Sequence, residues 1–283
     1  MSLQGKTLFI TGASRGIGLA VALRAARDGA NIVIAAKTVE PHRHLPGTIH
    51  SAAAQVEAAG GRAYPLTLDV RDEEALGRGM AAAAEHFGGI DILVNNASAI
   101  SPTPVLETAA KRYDLMMAVN GRGTFMTTQA ALPHLLRAEN PHVLTMSPPL
   151  NLDPKWFAGN VAYTMSKYTM SMAMLGMAEE FRSQGVAFNC LWPRFGVATA
   201  AIEFAVGDAE QLRGCRTPEI MADAAYAILT RPARACTGNF FIDDTLLFEE
   251  GVRDFAAYRV DPTAPVRPGM FLADDDAPPP GAI

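Results

Sequence analysis

Short apolar runs alternate with alanine-rich amphipathic segments along most of the chain. The apolar runs predict strands at Thr7–Thr11, Asn31–Ala36, Arg62–Leu68, Ile90–Asn95, His142–Ser147, Ala187–Trp192 and Asn239–Asp243. Several runs contain almost no polar residues, which is typical of strands covered by helices on both faces. The intervening segments predict helices at Ile17–Asp28, His50–Ala59, Glu73–Phe87, Lys111–Arg137, Val161–Gln184 and Pro218–Leu229. This order predicts an α/β fold with a mostly parallel sheet.

Two regions depart from the alternation. The segment from Lys37 to Gly47 contains prolines and histidines and predicts a long loop. After the last predicted strand, the pattern divides the protein into a domain over residues 1–245 and a C-terminal extension over residues 246–283. Apolar residues between Phe248 and Phe271 predict a segment that packs on the domain. The acidic, proline-rich end predicts a mobile tail.

Composition and charge narrow the possible functions. The 283 residues are 49% hydrophobic and 19% charged, which is enough apolar material for a sizeable core. A net charge of −5 argues against nucleic acid as the main partner. The sequence has no apolar stretch long enough to span a membrane, and its first residues lack the apolar core of a signal peptide. We therefore expect a cytoplasmic protein with no membrane partner.

A glycine-rich turn follows the first predicted strand and opens the first predicted helix. Its sequence is Thr11-Gly12-Ala13-Ser14-Arg15-Gly16-Ile17-Gly18. Glycine lets the backbone turn tightly and approach a pyrophosphate, and the helix N-terminus then offers its N–H groups to the phosphate charge. The turn therefore predicts a dinucleotide site in a single Rossmann-type domain with a seven-stranded, mostly parallel sheet and helices on both faces. The expected contacts are Gly12, Ser14, Gly16, Ile17 and Gly18.

The end of the second predicted strand bears on the choice of nucleotide. Sites for NAD usually place Asp or Glu there to hold the ribose 2′-hydroxyl. This chain instead has Ala36 followed by Lys37, and Arg15 in the glycine turn is a second cation. Two cations without a carboxylate favour a 2′-phosphate. The sequence thus predicts NADP as the cofactor, with NAD as the less favoured alternative.

Two further strand ends supply candidate cofactor contacts. Asp69 and Val70 follow the third predicted strand, where they could bracket an adenine. Asn96 and Ala97 follow the fourth. Ligands of parallel sheets collect at the carboxyl ends of the strands, so both pairs are expected in the nucleotide site. A surface loop without a ligand is the alternative for either pair taken alone.

Tyr163 and Lys167 lie four residues apart on a predicted helix and therefore share one face of it. A surface pair is the ordinary interpretation of this spacing, but the dinucleotide turn upstream favours proton transfer beside a hydride carrier. The pKa of a tyrosine is about 10, too high for efficient acid–base work at neutral pH, and a nearby ammonium would lower it. We expect Tyr163 to exchange a proton with a substrate oxygen, and Lys167 to lower the pKa of the phenol and hold the nicotinamide ribose.

Taken in order, the glycine turn, Asn95-Asn96-Ala97-Ser98, Asn120 and the segment from Tyr163 to Lys167 resemble the short-chain dehydrogenase/reductase family. Residues 31–38, 147–152 and 175–181 are most similar to its hydroxysteroid dehydrogenase-like branch. Members of that branch can carry a sterol-carrier domain, which we do not expect in 283 residues. The resemblance implies an oxidoreductase that interconverts a carbonyl and an alcohol, a small-molecule substrate, and a homodimer or homotetramer.

The resemblance also implies roles for polar residues around the tyrosine. Asn120 corresponds to an asparagine that holds a water in a proton relay behind the lysine; the alternative is an asparagine that bonds its own helix backbone. Family members usually have two serines after the fifth strand, the second of which bonds the substrate oxygen. Here Pro148 follows Ser147. Ser147 is therefore the first candidate for this bond, and Asn151 is the second.

After the sixth predicted strand, the resemblance implies cofactor contacts from Pro193, Val197 and Thr199, although the spacing there is one residue longer than usual. The segment from Phe195 to Arg216, with an apolar helical core at Ala201–Val206, is expected to cover the substrate.

Large apolar side chains indicate the character of the substrate. Trp156, Phe157, Trp192 and Phe195 are expected near the same opening and favour an apolar carbonyl or alcohol.

The remaining candidate chemistry is a metal site. His42, Arg43, His44 and His50 lack a convincing carboxylate or thiol partner, and Cys190, Cys215 and Cys236 are too far apart in sequence for a zinc pattern. We expect no metal and reduced thiols.

The leading hypothesis is an NADP-dependent oxidoreductase. A nucleotide-binding regulatory protein with little or no catalysis is the alternative, because the serine is displaced. A dehydratase or epimerase is a third, less favoured hypothesis.

Overall fold

The computed structural model describes residues 1–41, 45–200, 202 and 212–283. Its seven-stranded sheet has the order β3-β2-β1-β4-β5-β6-β7. The strands are β1 (Thr7–Thr11), β2 (Asn31–Ala36), β3 (Arg62–Thr67), β4 (Ile92–Asn95), β5 (His142–Thr145), β6 (Ala187–Trp192) and β7 (Phe240–Ile242). Every neighbouring pair is parallel, so the Rossmann-type domain predicted from the sequence is confirmed, and its sheet is entirely parallel.

Helices lie between the strands, because parallel neighbours cannot be joined by tight turns, and a further helix follows the last strand. They are α1 (Gly16–Ala26), α2 (Ile49–Ala58), α3 (Glu73–Phe87), α4 (Ala110–Met116), α5 (Thr124–Leu135), α6 (Val161–Glu180), α7 (Glu219–Leu229) and α8 (Asp243–Glu249). Thr48 caps α2 and Asp72 caps α3, each accepting a bond from a backbone N–H of the first turn. The sheet order reverses between β1 and β4, which opens a ligand crevice at their carboxyl ends.

Two apolar layers cover the sheet, one on each face. Successive side chains of a strand point to opposite faces, so Leu8 and Ile10 belong to one layer and Phe9 to the other. The first layer includes residues of α1, α2, α7 and α8, and the second includes residues of α3, α5 and α6. Burial on both faces explains why the strands are nearly free of polar residues.

The predicted long helix Lys111–Arg137 is interrupted. A π-helical segment, Met117–Gly123, separates α4 from α5. A Cβ on Gly121 would lie 2.9 Å from Cγ2 of Thr169, and one on Gly123 would lie 2.9 Å from Cγ2 of Val70. These close approaches to neighbouring elements require glycine and depend on tertiary packing, so helical periodicity alone could not indicate the irregular segment.

The fifth and seventh predicted strands end earlier than expected. The strand that begins at His142 stops at Thr145, before Ser147 and two prolines that can donate no ladder bond. The last strand stops at Ile242, and Asp243 begins α8, which the sequence pattern had not indicated. Asp243 is held there by the backbone N–H of Arg194 at 2.9 Å, a contact between distant parts of the chain.

The C-terminal extension packs on the domain. Phe255 and Phe271 are fully buried, in different apolar clusters. The acidic end, for which we expected mobility, lies against buried cations. Arg194 contacts the Asp276 carboxylate at 3.0 Å, and Arg216 donates to the carbonyl of Ala282. Local composition suggests a free tail because it cannot show which charges of the domain lie opposite.

Candidate active site

The glycine turn between β1 and α1 has the strained geometry that its sequence predicts. Gly12 and Gly16 adopt positive φ angles of 68° and 57°, which other residues rarely tolerate. A Cβ on Gly18 would lie 2.5 Å from Nδ2 of Asn96 and 2.9 Å from the Gly12 carbonyl oxygen. The backbone of the turn is therefore left bare and close to the end of β4.

The N-terminus of α1 fits an anionic group. Arg15 occupies the cap position, and its side chain makes no cap bond to the first-turn N–H groups. The first turn also contains no acidic residue. These N–H groups and the positive end of the helix dipole are thus available to a phosphate, as the dinucleotide interpretation requires.

Thr11 joins the two strand ends that form the floor of the crevice. Its Oγ1 accepts bonds from the backbone N–H groups of Asn96 and Ala97, both at 3.0 Å. Asn96 Nδ2 in turn donates to the carbonyl of Thr11 at 2.9 Å and to that of Gly12 at 3.2 Å. The structure therefore brings Asn96 and Ala97 to the glycine turn, where Thr11 is a structural partner that the sequence interpretation missed.

The ends of β2 and β3 form a mixed-charge corner. The Lys37 ammonium is 59% exposed and lies 3.5 Å from the Asp69 carboxylate. Arg71 contacts the same carboxylate at 2.6 Å. The hydrogen bond from Arg71, with further help from the charge of Lys37, lowers the pKa of Asp69 to about 2. The sequence predicted two cations without a carboxylate at this corner. In the structure Asp69 lies beside Lys37, and Arg71 is a cation that the sequence interpretation missed.

Arg15, the other predicted cation, is directed elsewhere. Its guanidinium donates to the carbonyl oxygens of Pro46 at 2.8 Å and Gly47 at 3.0 Å. Partial burial lowers the pKa of Arg15. Two of its donors are therefore used to hold the loop before α2 against the glycine turn.

Residues after β6 reach the opposite side of the turn. A Cβ on Gly16 would lie 3.4 Å from Cγ2 of Thr199, so Thr199 covers the turn. Val197 is buried and forms a parallel bridge with Arg216, whereas Pro193 is half-buried just beyond β6. Of the predicted helical core Ala201–Val206, only Ile202 lies within the described residues.

Tyr163 and Lys167 lie one turn apart on α6 and are both buried, with 5% and 4% of their surfaces exposed. Lys167 Nζ donates to the carbonyl of Met146 at 2.8 Å and lies 5.3 Å from the ring centre of Trp192. Burial lowers the pKa of Lys167 to about 7. Burial also raises the pKa of Tyr163, because a phenolate would lose its hydration. The sequence predicted a lowered pKa for Tyr163, whereas burial in the protein alone raises it.

Asn120 lies in the π-helical segment and is fully buried. Its Oδ1 accepts a bond from Ala99 N at 2.8 Å, and its Nδ2 donates to Ala99 O and Ser166 Oγ, both at 2.9 Å. Both amide hydrogens are thereby committed, so a water could bond only to Oδ1. The side chain ties the loop after β4 to α6 and does not bond its own helix backbone.

The two candidates for the substrate-oxygen bond have different environments. Ser147 is fully buried, and its Oγ, which makes no hydrogen bond of good geometry, lies beside the thiol of Cys190. Asn151 is half-buried, and its Oδ1 accepts a bond from Asp153 N at 3.0 Å. Neither side chain is hydrogen-bonded to Tyr163 among the described contacts.

Tyr163 belongs to an aromatic cluster centred on Phe271. The cluster comprises Trp156, Tyr163, Tyr168, Trp192 and Phe271, with Phe157 packed on its edge. The predicted aromatic surface is thus assembled from Trp156, Phe157 and Trp192. Phe195 lies apart from it, with its ring centre 4.9 Å from the Arg216 guanidinium. Phe271 has no counterpart in the sequence motifs; the apolar content of its segment was the only local signal.

The described residues contain no group of three or more His, Cys, Asp or Glu side chains arranged to hold a metal. Of the histidine loop, residues 42–44 lie outside the described residues. Within the ranges that the structure covers, no helix has the length and apolarity needed to cross a membrane.

The chain has extensive similarity to known proteins. The family model described as short chain dehydrogenase matches residues 6–205. Hydroxysteroid dehydrogenase-like protein 2 of Danio rerio is 56% identical over 270 residues, covering 95% of this chain and 64% of the relative. The human protein of the same name is 53% identical, again with 95% and 64% coverage. The chain therefore spans somewhat under two thirds of these relatives.

Solved structures that resemble this chain range from similar to distant in sequence. A crystal structure of a Xanthomonas campestris protein is 55% identical and has a TM-score of 0.93. The match covers 97% of this chain and 100% of that one. A more distant metagenomic short-chain oxidoreductase, solved in complex with NADP, is 26% identical with a TM-score of 0.70, over 86% of this chain and 98% of that one. A Mycobacterium paratuberculosis short chain dehydrogenase bound to NAD is 23% identical with a TM-score of 0.73, over 86% and 97%, which shows the fold alone.

The burial of Lys167 predicts how stability depends on pH. Its pKa is about 7 when folded and 10.5 unperturbed, so between these values the unfolded chain binds more protons at this position. The cost of burying Lys167 is therefore complete below pH 7 and disappears as the pH rises to 10.5. Lys167→Met should raise the free energy of unfolding at pH 7, and this gain should shrink by up to about 1.4 kcal/mol per pH unit.

Urea unfolding of the wild type and Lys167→Met at pH 7 and pH 10.5 measures this change. Lys111→Met, at an exposed position on α4, is the matched control and should show little pH-dependent difference from the wild type. A Lys167→Met gain of the same size at both pH values would contradict the assignment.

Proposed function

The chain belongs to the short-chain dehydrogenase family of oxidoreductases, and from that premise we propose that it interconverts a carbonyl and an alcohol with a nicotinamide cofactor. The observation that carries the proposal is the placement of Tyr163 and Lys167 on α6, at the sheet edge that also holds the glycine turn. Parallel strands bring their carboxyl ends to one edge, so the proposed phosphate site and proton donor would share one crevice.

The roles follow from the chemistry of the side chains. When bound, the cofactor would supply a hydride to the carbonyl carbon, while the hydroxyl of Tyr163 gives its proton to the carbonyl oxygen. The reverse reaction returns the proton to Tyr163. A tyrosine whose burial raises its pKa is well suited to hold that proton, and a protonated Lys167 would stabilise the phenolate left behind.

Asn120 and the two polar residues after β5, Ser147 and Asn151, also have roles in this proposal. Asn120 fixes the loop after β4 against α6, and its free Oδ1 lone pair could hold the relay water that the family implies. For the substrate oxygen, Ser147 stays the first candidate and Asn151 the second. A rotation of Ser147 away from Cys190 would be needed, because its hydroxyl is buried there.

The substrate that suits this crevice is a small molecule with an apolar body. The rings of Trp156 and Trp192 belong to the same aromatic cluster as Tyr163, where they would pack against such a body and exclude water. The cytoplasmic location predicted from the sequence stays a prediction.

A second function is favoured by the burial of Ser147. If Ser147 and Asn151 both stay away from the substrate oxygen, the protein would bind a nucleotide with little or no catalysis. The same measurement decides between the two functions, because only the oxidoreductase requires the Tyr163 hydroxyl.

Tyr163→Phe should lower kcat/KM for carbonyl reduction by at least about 100-fold while leaving cofactor affinity nearly unchanged, because it removes only the proton. Cofactor absorbance during a screen of apolar ketones and alcohols measures turnover, and isothermal titration measures cofactor binding. Tyr226→Phe, which loses a hydroxyl bonded to Asp28 on the far side of the molecule, is the matched control and should keep wild-type turnover. Cofactor binding without any Tyr163-dependent turnover would favour the regulatory function.

We further propose NADP as the preferred cofactor. Lys37 is exposed at the end of β2, and Arg71 balances the Asp69 carboxylate beside it, so the corner retains positive charge for a 2′-phosphate. The NADP complex of the metagenomic relative is consistent with this preference, whereas the NAD complex of the mycobacterial structure shows that the same fold accommodates either cofactor.

Dissociation constants for NADPH and NADH test the preference. NADPH should bind the wild type more tightly than NADH. Lys37→Ala should reduce the ratio of the NADH dissociation constant to the NADPH dissociation constant about tenfold, equivalent to about 1.4 kcal/mol. Lys111→Ala, an exposed lysine on α4, should leave the ratio unchanged. Equal affinities in the wild type, or tighter binding of NADH, would disprove the preference.

We also propose a homodimer or homotetramer formed through α5 and α6. These helices expose large apolar side chains at Phe125, Met165, Met172 and Leu175, which are between 41% and 55% exposed. Covering them against a second copy would remove this apolar surface from water.

Leu175→Glu should shift the protein toward monomer, because a charge would be buried in the contact. Sedimentation velocity at micromolar concentration measures the assembly. Val260→Glu, an apolar residue of similar exposure in the C-terminal extension, is the control and should leave the assembly intact. A wild type that sediments as a monomer would contradict the proposal.

A further inference from the structure

Phe271 reaches the reactive tyrosine from the C-terminal extension. Its ring centre lies 6.2 Å from that of Tyr163, 5.6 Å from Trp192 and 5.5 Å from Tyr168. We propose that Phe271 forms a wall of the substrate pocket and limits the size of the apolar group that the pocket admits. This rests on the proposed function, since it takes Tyr163 as the group that meets the substrate oxygen.

The backbone holds Phe271 in a specific conformation. Phe271 has a φ of 75°, the only positive value at a non-glycine residue in the described part of the chain. Such a conformation is uncommon for a bulky residue and persists where surrounding contacts determine it. The ring is fully buried despite lying in an extension that has no regular secondary structure around it.

The residues before Phe271 are attached to the end of β6. Gly269 N donates to the Arg194 carbonyl at 2.8 Å, and Trp192 Nε1 donates to the Met270 carbonyl at 2.9 Å. A Cβ on Gly269 would lie 2.7 Å from the Arg194 oxygen, so glycine permits this close approach. The segment is thus fixed to the strand whose end also carries the predicted cofactor contacts.

Ion pairs with Arg194 hold the residues after Phe271 near the end of β6. The Arg194 guanidinium, 4% exposed, lies 3.0 Å from the Asp276 carboxylate and 2.8 Å from that of Asp244. Since Asp244 belongs to α8, Arg194 joins the extension to the domain. Hydrogen bonds before Phe271 and ion pairs after it therefore fix the position of its ring.

The position of the ring has a direct consequence for a substrate. A substrate oxygen must come within hydrogen-bond distance of the Tyr163 hydroxyl, but Tyr163 is only 5% exposed. The Phe271 ring packs against Tyr163 and both tryptophans, so the body of any substrate must contact or displace it. The size of the side chain at this position therefore sets the space available.

Tryptophan fluorescence can serve as the probe for this site. Its two tryptophans, Trp156 and Trp192, both contact Phe271, with ring centres at 5.9 and 5.6 Å. Intrinsic tryptophan fluorescence therefore reports on the pocket alone. Cyclohexanone and cyclododecanone are suitable probes, because they share the carbonyl group, differ in ring size and contribute no aromatic absorption.

The experiment titrates both ketones into the full chain in the presence of NADP and follows tryptophan fluorescence. The quantity compared is the dissociation constant of cyclododecanone divided by that of cyclohexanone. In Phe271→Ala this ratio should fall at least about tenfold, because a pocket enlarged by a few methylenes discriminates less against the larger ring. Phe271→Leu, which retains more of the packing, should change the ratio in the same direction by less. Thermal unfolding checks that each variant is folded.

Phe255→Leu is the matched control, because Phe255 is equally buried in the same extension but belongs to the apolar layer of α1 and α7. It should lower stability and leave the ratio within about twofold of the wild type. The same ratio in both Phe271 variants and the control, or no fluorescence response to either ketone in any variant, would overturn the proposal.

Failure of the proposed function would look different. A changed ratio without Tyr163-dependent turnover would retain Phe271 as a pocket wall and remove the oxidoreductase assignment. Tyr163-dependent turnover with an unchanged ratio would retain the oxidoreductase and remove the role of Phe271.

Discussion

Burial of an ammonium and a phenol side by side is the constraint on which this site depends. Lys167 is almost completely removed from water, and its Nζ contacts a backbone carbonyl and the sulfur of Met170. Burial moves the pKa of Lys167 down to about 7 and that of Tyr163 up, because each charged form loses its hydration. In the proposed reaction, a buried phenol would keep its proton until a charge develops nearby, which suits the reduction of a carbonyl.

The parts of the molecule that create this environment come from distant positions. Asn120, in an irregular helical segment, ties the loop after β4 to the helix that carries Tyr163. Trp192 lies at the end of β6, and Phe271 comes from an extension held by Arg194. Each contact brings together elements separated in sequence, and together they exclude water from the lysine. The nucleotide turn, by contrast, is local: its glycines, the open N-terminus of α1 and Thr11 act within one strand–turn–helix unit and the neighbouring strand end.

This contrast explains how far sequence reasoning succeeded. The strands and most helices were predictable because burial on both faces of a parallel sheet leaves long apolar runs. Gly12, Gly16 and Gly18 were recognisable from their spacing, because positive φ angles at Gly12 and Gly16 and a close approach at Gly18 favour glycine there. The π-helical segment, α8 and the packed end of the chain were not predictable, since each depends on a partner that local sequence does not show. The same is true of Arg71, which places a second cation on Asp69, and of Arg15, whose donors are used by a neighbouring loop.

The sequence by itself determined the α/β architecture, the nucleotide turn and the pair Tyr163 and Lys167, because these follow from periodicity and from chemistry at fixed spacing. Only the tertiary structure decided the electrostatic state of that pair and the composition of its surroundings. Desolvation depends on everything packed around a group, including Phe271 more than 100 residues away along the chain. Spacing identifies which side chains share a helix face. Three-dimensional packing decides how far they are buried, and burial shifts their pKa values.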